Sequence, residues 1–293
     1  MSGVRNAMTV DVEDYFQVSA FNRTVARSRW EDLPSRVTAN TERLLHLLAE
    51  HDVRATFFVL GWVAERHPSL VALIADLGHE IASHGYSHRL VYEQTQRGFR
   101  EDVRRAKDVI ENAGGQRVEG YRAPSFSITS RTLWALDILI EEGYRYDASI
   151  FPIRHDRYGI PGSPRHPYVL TRERGALVEV PGSTARLGPV NLPVAGGGYF
   201  RILPYGWTRW GIARLNEREH RPAVFYLHPW EIDPDQPRLH ASWLSRFRHY
   251  RHLDQTEPRL RRLLADFRFA PLRQVLDEAE LDSPAAELLP QAG

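Results

Sequence analysis

Residues 55–88 read ATFFVLGWVAERHPSLVALIADLGHEIASHGYSH, and three changes of texture follow one another within them. Ala55–Leu60 is a short, unbroken apolar run of the strand type. Val63–Leu77 carries a helical period that Gly78 stops. Glu80–Ser83 is again strand-like, and it runs straight into Ser83-His84-Gly85-Tyr86-Ser87-His88. A strand whose apolar residues are continuous rather than alternating is buried on both faces. That predicts a mostly parallel sheet covered by helices.

The same alternation extends outward in both directions. Upstream, the strand Met8–Glu13 precedes the helical Thr41–Glu50. Downstream, Gly98–Ala113 places Phe99, Val103, Ala106, Val109, Ile110 and Ala113 on one stripe, opposite Arg104, Arg105, Lys107 and Asp108, and Gly114-Gly115 ends it. Val118–Tyr121, Tyr146–Ile150, Leu177–Val180 and Val224–Leu227 read as further strands, and Arg131–Glu142 and Gly206–Glu219 as further helices. Between Phe151 and Gly198 seven prolines are interleaved with glycine, which predicts a long, loop-rich insertion shaping a binding site rather than a domain boundary. The end from Ser283 is rich in Ala and Pro and reads as a frayed tail.

Composition narrows the chemistry. The 293 residues hold 38 Lys and Arg against 37 Asp and Glu, a net charge of +1, with 13 His and no cysteine. Disulfides, thiolate nucleophiles and Cys-based metal sites are thereby excluded, so any metal must rest on His, Asp or Glu. A near-neutral chain has no global field for nucleic acid; the basic stretch Arg246, Arg248, Arg251, Arg259, Arg261 and Arg262 reads as a solvated helix face, and no nucleic-acid partner is expected. No stretch approaches 18 consecutive apolar residues, so no transmembrane segment is expected. The start, MSGVRNAMTVDVEDYF, lacks the apolar core of a secretory signal, and the expected location is cytoplasmic.

Five polar groups collect where strands end. These are Asp11-Val12-Glu13-Asp14, the pair His84 and His88, Arg122-Ala123-Pro124-Ser125-Phe126, Asp147-Ala148-Ser149, and Leu227-His228-Pro229-Trp230-Glu231. In parallel α/β folds the active site lies at the carboxyl ends of the strands. Two imidazoles four residues apart can converge on one divalent ion if the backbone makes a helical turn, and a strand-end Arg can hold a carboxylate. Singly, each group has a plain structural explanation as a turn, a surface pair or a cap.

In order and in kind, these five groups resemble the NodB-homology polysaccharide deacetylases, carbohydrate esterase family 4, whose elements are an acidic pair, HxxxH, RxxP, an Asp-containing fourth motif and a late Leu-x-His. TVDVEDYFQVSAF at the start and HPWEIDPDQPR late in the chain further resemble the subgroup found beside exosortase (PEP-CTERM) and exopolysaccharide loci. The resemblance runs from Met8 to about Leu276. It implies an α/β fold, a distorted (β/α) barrel spanning 1–282 with the insertion at 151–200 and a family-specific part at 201–282, followed by a tail at 283–293. It also implies roles. Asp11 is the general base, Arg122 holds Asp11, His228 is the general acid paired with Asp147, and the backbone N–H near Ser125 serves the oxyanion. His84 and His88 are metal ligands, and either Glu13 or Asp14 is the third, because Asp-x-Glu-Asp departs from the commoner adjacent aspartates.

The expected activity is metal-dependent removal of N-acetyl groups from amino sugars of a polysaccharide or its lipid-linked precursor, in exopolysaccharide biosynthesis. Zinc is the expected ion, with cobalt, nickel, manganese and iron as alternatives. Trp207, Trp210, Trp230 and Trp243 could face sugar rings, and Trp230, beside His228, is the expected substrate-binding residue. Peripheral association with a synthesis assembly is compatible. Competing readings are an amidohydrolase of the same fold acting on a small amide or formyl group, and a catalytically silent glycan-binding protein.

Overall fold

The structure, a computed structural model, describes residues 3–279 and Leu281; the expected tail at 283–293 lies outside the described residues. In chain order the elements are β1 (Asn6–Val12), α1 (Val37–Glu50), β2 (Thr56–Val59), α2 (Gly61–Arg66), α3 (Pro68–Asp76), β3 (Glu80–Ser83), α4 (Gln96–Gly114), β4 (Gly120–Tyr121), α5 (Trp134–Glu141) and β5 (Tyr146–Asp147). There follow β6 (Tyr168–Arg172), β7 (Gly175–Glu179), β8 (Thr184–Leu187), β9 (Val190–Pro193), α6 (Gly197–Ile202), α7 (Tyr205–Arg218), β10 (Val224–Leu227), α8 (Trp243–Tyr250), α9 (Leu253–Asp266), β11 (Phe269–Ala270) and α10 (Leu272–Glu278).

The expected α/β architecture is present. One sheet runs β10-β1-β2-β3-β4-β5-β7-β6, with β11 also paired to β1, and its strands are parallel except for the β6–β7 hairpin at the edge. Among the described residues this hydrogen-bonded path does not close from β10 to β6. The excursion expected to be loop-rich holds four strands. β6 and β7 extend the main sheet and β8 and β9 form a separate hairpin. Only the β7 stretch was legible as a strand, because β6 alternates buried Tyr168 and Leu170 with exposed neighbours and follows directly on Pro167, so it has neither a continuous apolar run nor a clean start.

Register explains how distant motifs meet. Val10 pairs with Leu227, Val12 with Val59, Val59 with Ser83, Ser83 with Tyr121 and Tyr121 with Asp147. The residues just beyond these pairs therefore emerge together at the carboxyl edge. Alternation then sorts the faces. Met8, Val10 and Val12 join the large core formed with the helices, including Phe57, Val59 and Ile81. Ala7 lies on the other face with Phe58, Ala82, Tyr146 and Val224, closed off by Leu272 and Val275 of α10. Thr9, Asp11 and Glu13 share the Ala7 face by the two-residue period. All seven residues of β1 are buried, and each large apolar side chain in these clusters contributes about 1.5–3 kcal/mol.

Candidate active site

Asp11 is fixed before any ligand arrives. Its Oδ1 accepts from the Arg122 guanidinium at 2.6 Å, and Arg122 also donates to Thr9 Oγ1 at 2.9 Å and to the Ala148 carbonyl at 3.3 Å. Arg122 is only 2% exposed and lies 4.1 Å over the Phe58 ring. The guanidinium thereby ties β1 to the loops after β4 and β5. Asp11 Oδ2 faces His228 Nε2 at 3.8 Å.

Glu13, His84 and His88 each bring one ligand atom to within 4.8 Å of the others, and all three are buried. Several features fit a cation. His84 Nδ1 lies 2.8 Å from the Arg122 carbonyl, a donor contact that leaves Nε2 as a lone pair. Glu13 Oε2 sits 2.8 Å from His88 Nε2 yet makes no aligned hydrogen bond, and His88 Nδ1 is likewise buried without a partner. Burial works to raise the Glu13 carboxyl, but the imidazoles of His88, His228 and His84 outweigh it and hold it below the ordinary carboxylate range. Burial pushes the His84 imidazole well down, and its neighbour His88 adds to this, which keeps it neutral as a metal ligand must be.

Of the two carboxylates left open as third ligand, Glu13 is the one placed beside the histidines. Asp14 points the other way, its Oδ2 accepting from Ser35 Oγ, Arg36 N and Val37 N at 2.7, 2.9 and 3.2 Å, where it caps the start of α1. The two histidines do not meet through a helical turn as expected. Gly85 and His88 have φ of +74° and +50°, and the loop is pinned by Asp102 of α4, which accepts from Tyr86 N, Ser87 N and Ser87 Oγ.

His228 does not pair with Asp147. Its Nδ1 lies 2.6 Å from Glu231 Oε1, and Glu231 Oε2 in turn accepts from buried Arg201, which also holds the His249 carbonyl at 2.7 Å. Asp147 is on the wrong face for His228: its neighbours Tyr146 and Ala148 pack on the face shared with Asp11, so alternation turns Asp147 outward. There it accepts from Ser149 Oγ, which accepts from Ala123 N, and it is the register partner of Glu179 on β7. Burial raises both carboxyls of that pair. Burial also works to lower His228, but Glu13, Glu231 and Asp11 together raise it to about 9. Glu231 and Arg201 were missed as functional residues. The signal that could have found Glu231 is its place three residues after His228, the spacing of a capping box, which the structure forms.

These groups open into a cavity of about 380 Å³, lined at one end by Asp11, Glu13, His84, His88 and His228. Ser125 also lines it, held in left-handed backbone at φ +52° with its Oγ 2.7 Å from Ser19 Oγ. Trp230 is not the sugar platform expected of it. It lines the cavity but is only 4% exposed, stacked on His228 and His249 with ring centroids at 5.1 and 4.1 Å, and its Nε1 donates to Glu13 Oε1 at 3.2 Å, so little of its ring is open to a sugar. Trp207, Trp210 and Trp243 do not line the cavity, whose aromatic wall is Phe126, Tyr158, Tyr199 and Tyr226. Gly196 lets the chain press onto that wall. A Cβ there would fall 2.2 Å from the Tyr226 carbonyl oxygen, and its φ is +101°.

Comparison with known proteins agrees with this geometry. Residues 21–146 match the polysaccharide deacetylase family model, and residues 148–277 match a domain of unknown function, DUF3473. The chain is 33% identical over 98 residues to the peptidoglycan-N-acetylglucosamine deacetylase of Bacillus cereus, covering 33% of this chain and 36% of that protein. It is 30% identical over 109 residues to the chitooligosaccharide deacetylase of Rhizobium leguminosarum bv. trifolii, covering 33% of this chain and 51% of that protein. The matched segments thus span about a third and about half of these relatives' own length. In fold, it is similar to a Mycobacterium smegmatis crystal structure assigned as a polysaccharide deacetylase, with TM-score 0.63, 22% identity and coverage of 97% and 93% of the two chains. It is also similar to a family 4 carbohydrate esterase from Streptomyces lividans solved with acetate, with TM-score 0.52, 16% identity and coverage of 97% and 100%. Residues 21–146 are thus similar to the polysaccharide deacetylases, in sequence and in fold.

Proposed function

We propose that the protein is a metal-dependent hydrolase that removes N-acetyl groups from amino sugars of a polysaccharide or of its lipid-linked precursor. The observation that carries this reading is the convergence on one cavity of a Glu13–His84–His88 donor set, an Arg122-held Asp11 and a Glu231-held His228. Glu13, His84 and His88 would hold a divalent ion, and two imidazoles with one carboxylate suit zinc, with cobalt, nickel, manganese and iron as the alternatives. Such an ion, when bound, polarises an acyl carbonyl oxygen and acidifies water.

The chain's own residues supply the proton transfers. Asp11 has one oxygen committed to Arg122, so Oδ2 is the atom that takes the proton of the attacking water. His228 Nε2 delivers a proton to the departing amine, because Glu231 on Nδ1 keeps the ring charged and oriented. The Ser125 backbone N–H serves the oxyanion, a kind of donor whose loss elsewhere costs about 10²–10³ in turnover. Arg122 spans Asp11 and the β5 loop, so it positions the base rather than touching substrate.

The segments matching the two models act as one catalytic unit in this reading. β1 lies between β2 of the first segment and β10 of the second, so Asp11 and His228 are sheet neighbours. The likeness of TVDVEDYFQVSAF and HPWEIDPDQPR to the exopolysaccharide-associated subgroup supports a role in exopolysaccharide biosynthesis, at the cytoplasmic stage and beside a synthesis assembly.

The test is acetate release from N-acetylglucosamine oligomers, with metal analysis, before and after chelation. Stoichiometric divalent metal, chelator-sensitive release and an inactive Asp11→Asn that still holds its metal are the expected results. Metal bound with release only from a small amide or formyl compound would move the activity to an amidohydrolase. Absence of metal after soaking with zinc, cobalt or nickel would overturn the hydrolase reading in favour of a glycan-binding protein.

A further inference from the structure

Resting on that reading, we propose that the outer end of the catalytic cavity is an anion site, and that the glycan acted upon carries a carboxylate or phosphate beside its N-acetyl sugar. The cavity is electrically polar along its length. Its only lining carboxylates among the described residues are Asp11 and Glu13, both at the inner end and both engaged with Arg122 or imidazoles. Three arginines line the remainder. Arg201 is neutralised by Glu231, but Arg157, from the segment after β5, and Arg248, on α8, have no carboxylate partner among the described residues.

Both side chains line the same cavity. His155, stacked on Tyr158 at 3.9 Å, lines the same cavity; burial pushes its imidazole below the ordinary value, and Arg157 and Arg248 push in the same direction. The nearest acid, Asp156, lies 2.9 Å from His155 Nδ1 and does not line the cavity. Two like charges facing one half-enclosed space repel each other until an anion sits between them. A partly enclosed cleft also focuses their field. Planar guanidiniums suit carboxylate and phosphate oxygens, which they can take in pairs. Between the two ends the wall is aromatic, with Phe126, Tyr158 and Tyr226, the surface that a sugar ring would cover. An N-acetyl sugar at the inner end therefore leaves an anionic neighbour at the arginines.

The experiment is calorimetric binding to the full chain of three probes. These are neutral chitotetraose, a hyaluronan tetrasaccharide in which uronate alternates with N-acetylglucosamine, and UDP-N-acetylglucosamine, with acetate release followed in parallel. At least one anionic probe is expected to bind about tenfold more tightly than chitotetraose, ~1.4 kcal/mol. The preference should weaken with salt and collapse in Arg157→Gln and Arg248→Gln, whose thermal melts match the parent. The tighter of the two anionic probes identifies uronate or phosphate as the source. Equal binding of all three probes, or a preference that survives both substitutions, overturns the anion site. Turnover of chitotetraose without any anionic preference defeats this inference and leaves the hydrolase standing. An arginine-dependent preference with no acetate released from any probe supports the site while defeating the hydrolase.

Discussion

At the scale of single residues, neighbouring acids have opposite duties. Glu13 points into the cavity and Asp14 caps α1, although one position separates them. Glu13→Gln and His88→Ala are therefore expected to lose stoichiometric metal by elemental analysis. Asp14→Ala should keep the metal while losing about 0.5–2 kcal/mol of stability in urea unfolding, the range for a lost helix cap. Glu231→Gln preserves shape but removes the charge behind His228. It should lower kcat by about 10²–10⁴ with KM nearly unchanged, and an unaltered kcat would remove Glu231 from the mechanism. The site was half legible at this scale. Asp11, His84, His88, Arg122 and His228 could be named because each ends a strand, whereas the direction of a side chain after the strand ends depends on turns whose geometry the sequence does not spell out. Trp230 illustrates the same limit, since an aromatic beside a catalytic residue can serve as a platform or as a wedge according to what covers its faces.

At the scale of elements, α4 acts on the site without reaching it. Its amphipathic stripe, legible in the sequence, buries Phe99, Val103, Ala106 and Ile110, and in the structure Thr95 caps its N-terminus. Asp102, on its more polar side, gathers the Tyr86 and Ser87 amides and so sets the path of the loop from His84 to His88. Asp102→Ala leaves all three metal donors in place yet is expected to weaken metal affinity by about 10–100-fold in chelator competition. Gly85→Ala should act in the same direction, because its Cβ would fall 2.9 Å from Asp102 Oδ2 at a φ of +74°. The strands of the 151–200 region were less readable than the helices. A short edge hairpin such as β6–β7 draws its stability from pairing with a distant partner, and its own residues carry no period long enough to count.

At the scale of the whole molecule, the Asp147–Glu179 pair couples the pairing of β5 with β7 to pH. Burial raises both carboxyls, so between the unfolded carboxylate range near pH 4 and the folded values the native state holds a proton that the unfolded chain has released. The pair's contribution is full below about pH 4 and is lost as pH rises through the folded values, which begin at about 6. Glu179→Gln removes this dependence, so its stability relative to the parent is expected to improve steadily from pH 5 to 8; a constant difference across that range would exclude a shared proton. Metal should stabilise the whole molecule, by about 2.7 kcal/mol at a free concentration a hundred times Kd, and chelation should lower Tm accordingly. The amino-acid sequence by itself determined the alternation of strand and helix, the parallel sheet and the motif residues at strand ends, because period and strand-end placement are local properties. Only the tertiary structure decided that Glu13 rather than Asp14 joins the histidines, that Glu231 and Arg201 rather than Asp147 stand behind His228, and that Arg157 and Arg248 line the same cavity as these groups. Those choices are made by register and by which face of a strand a residue occupies, and both are settled across the sheet rather than along the chain.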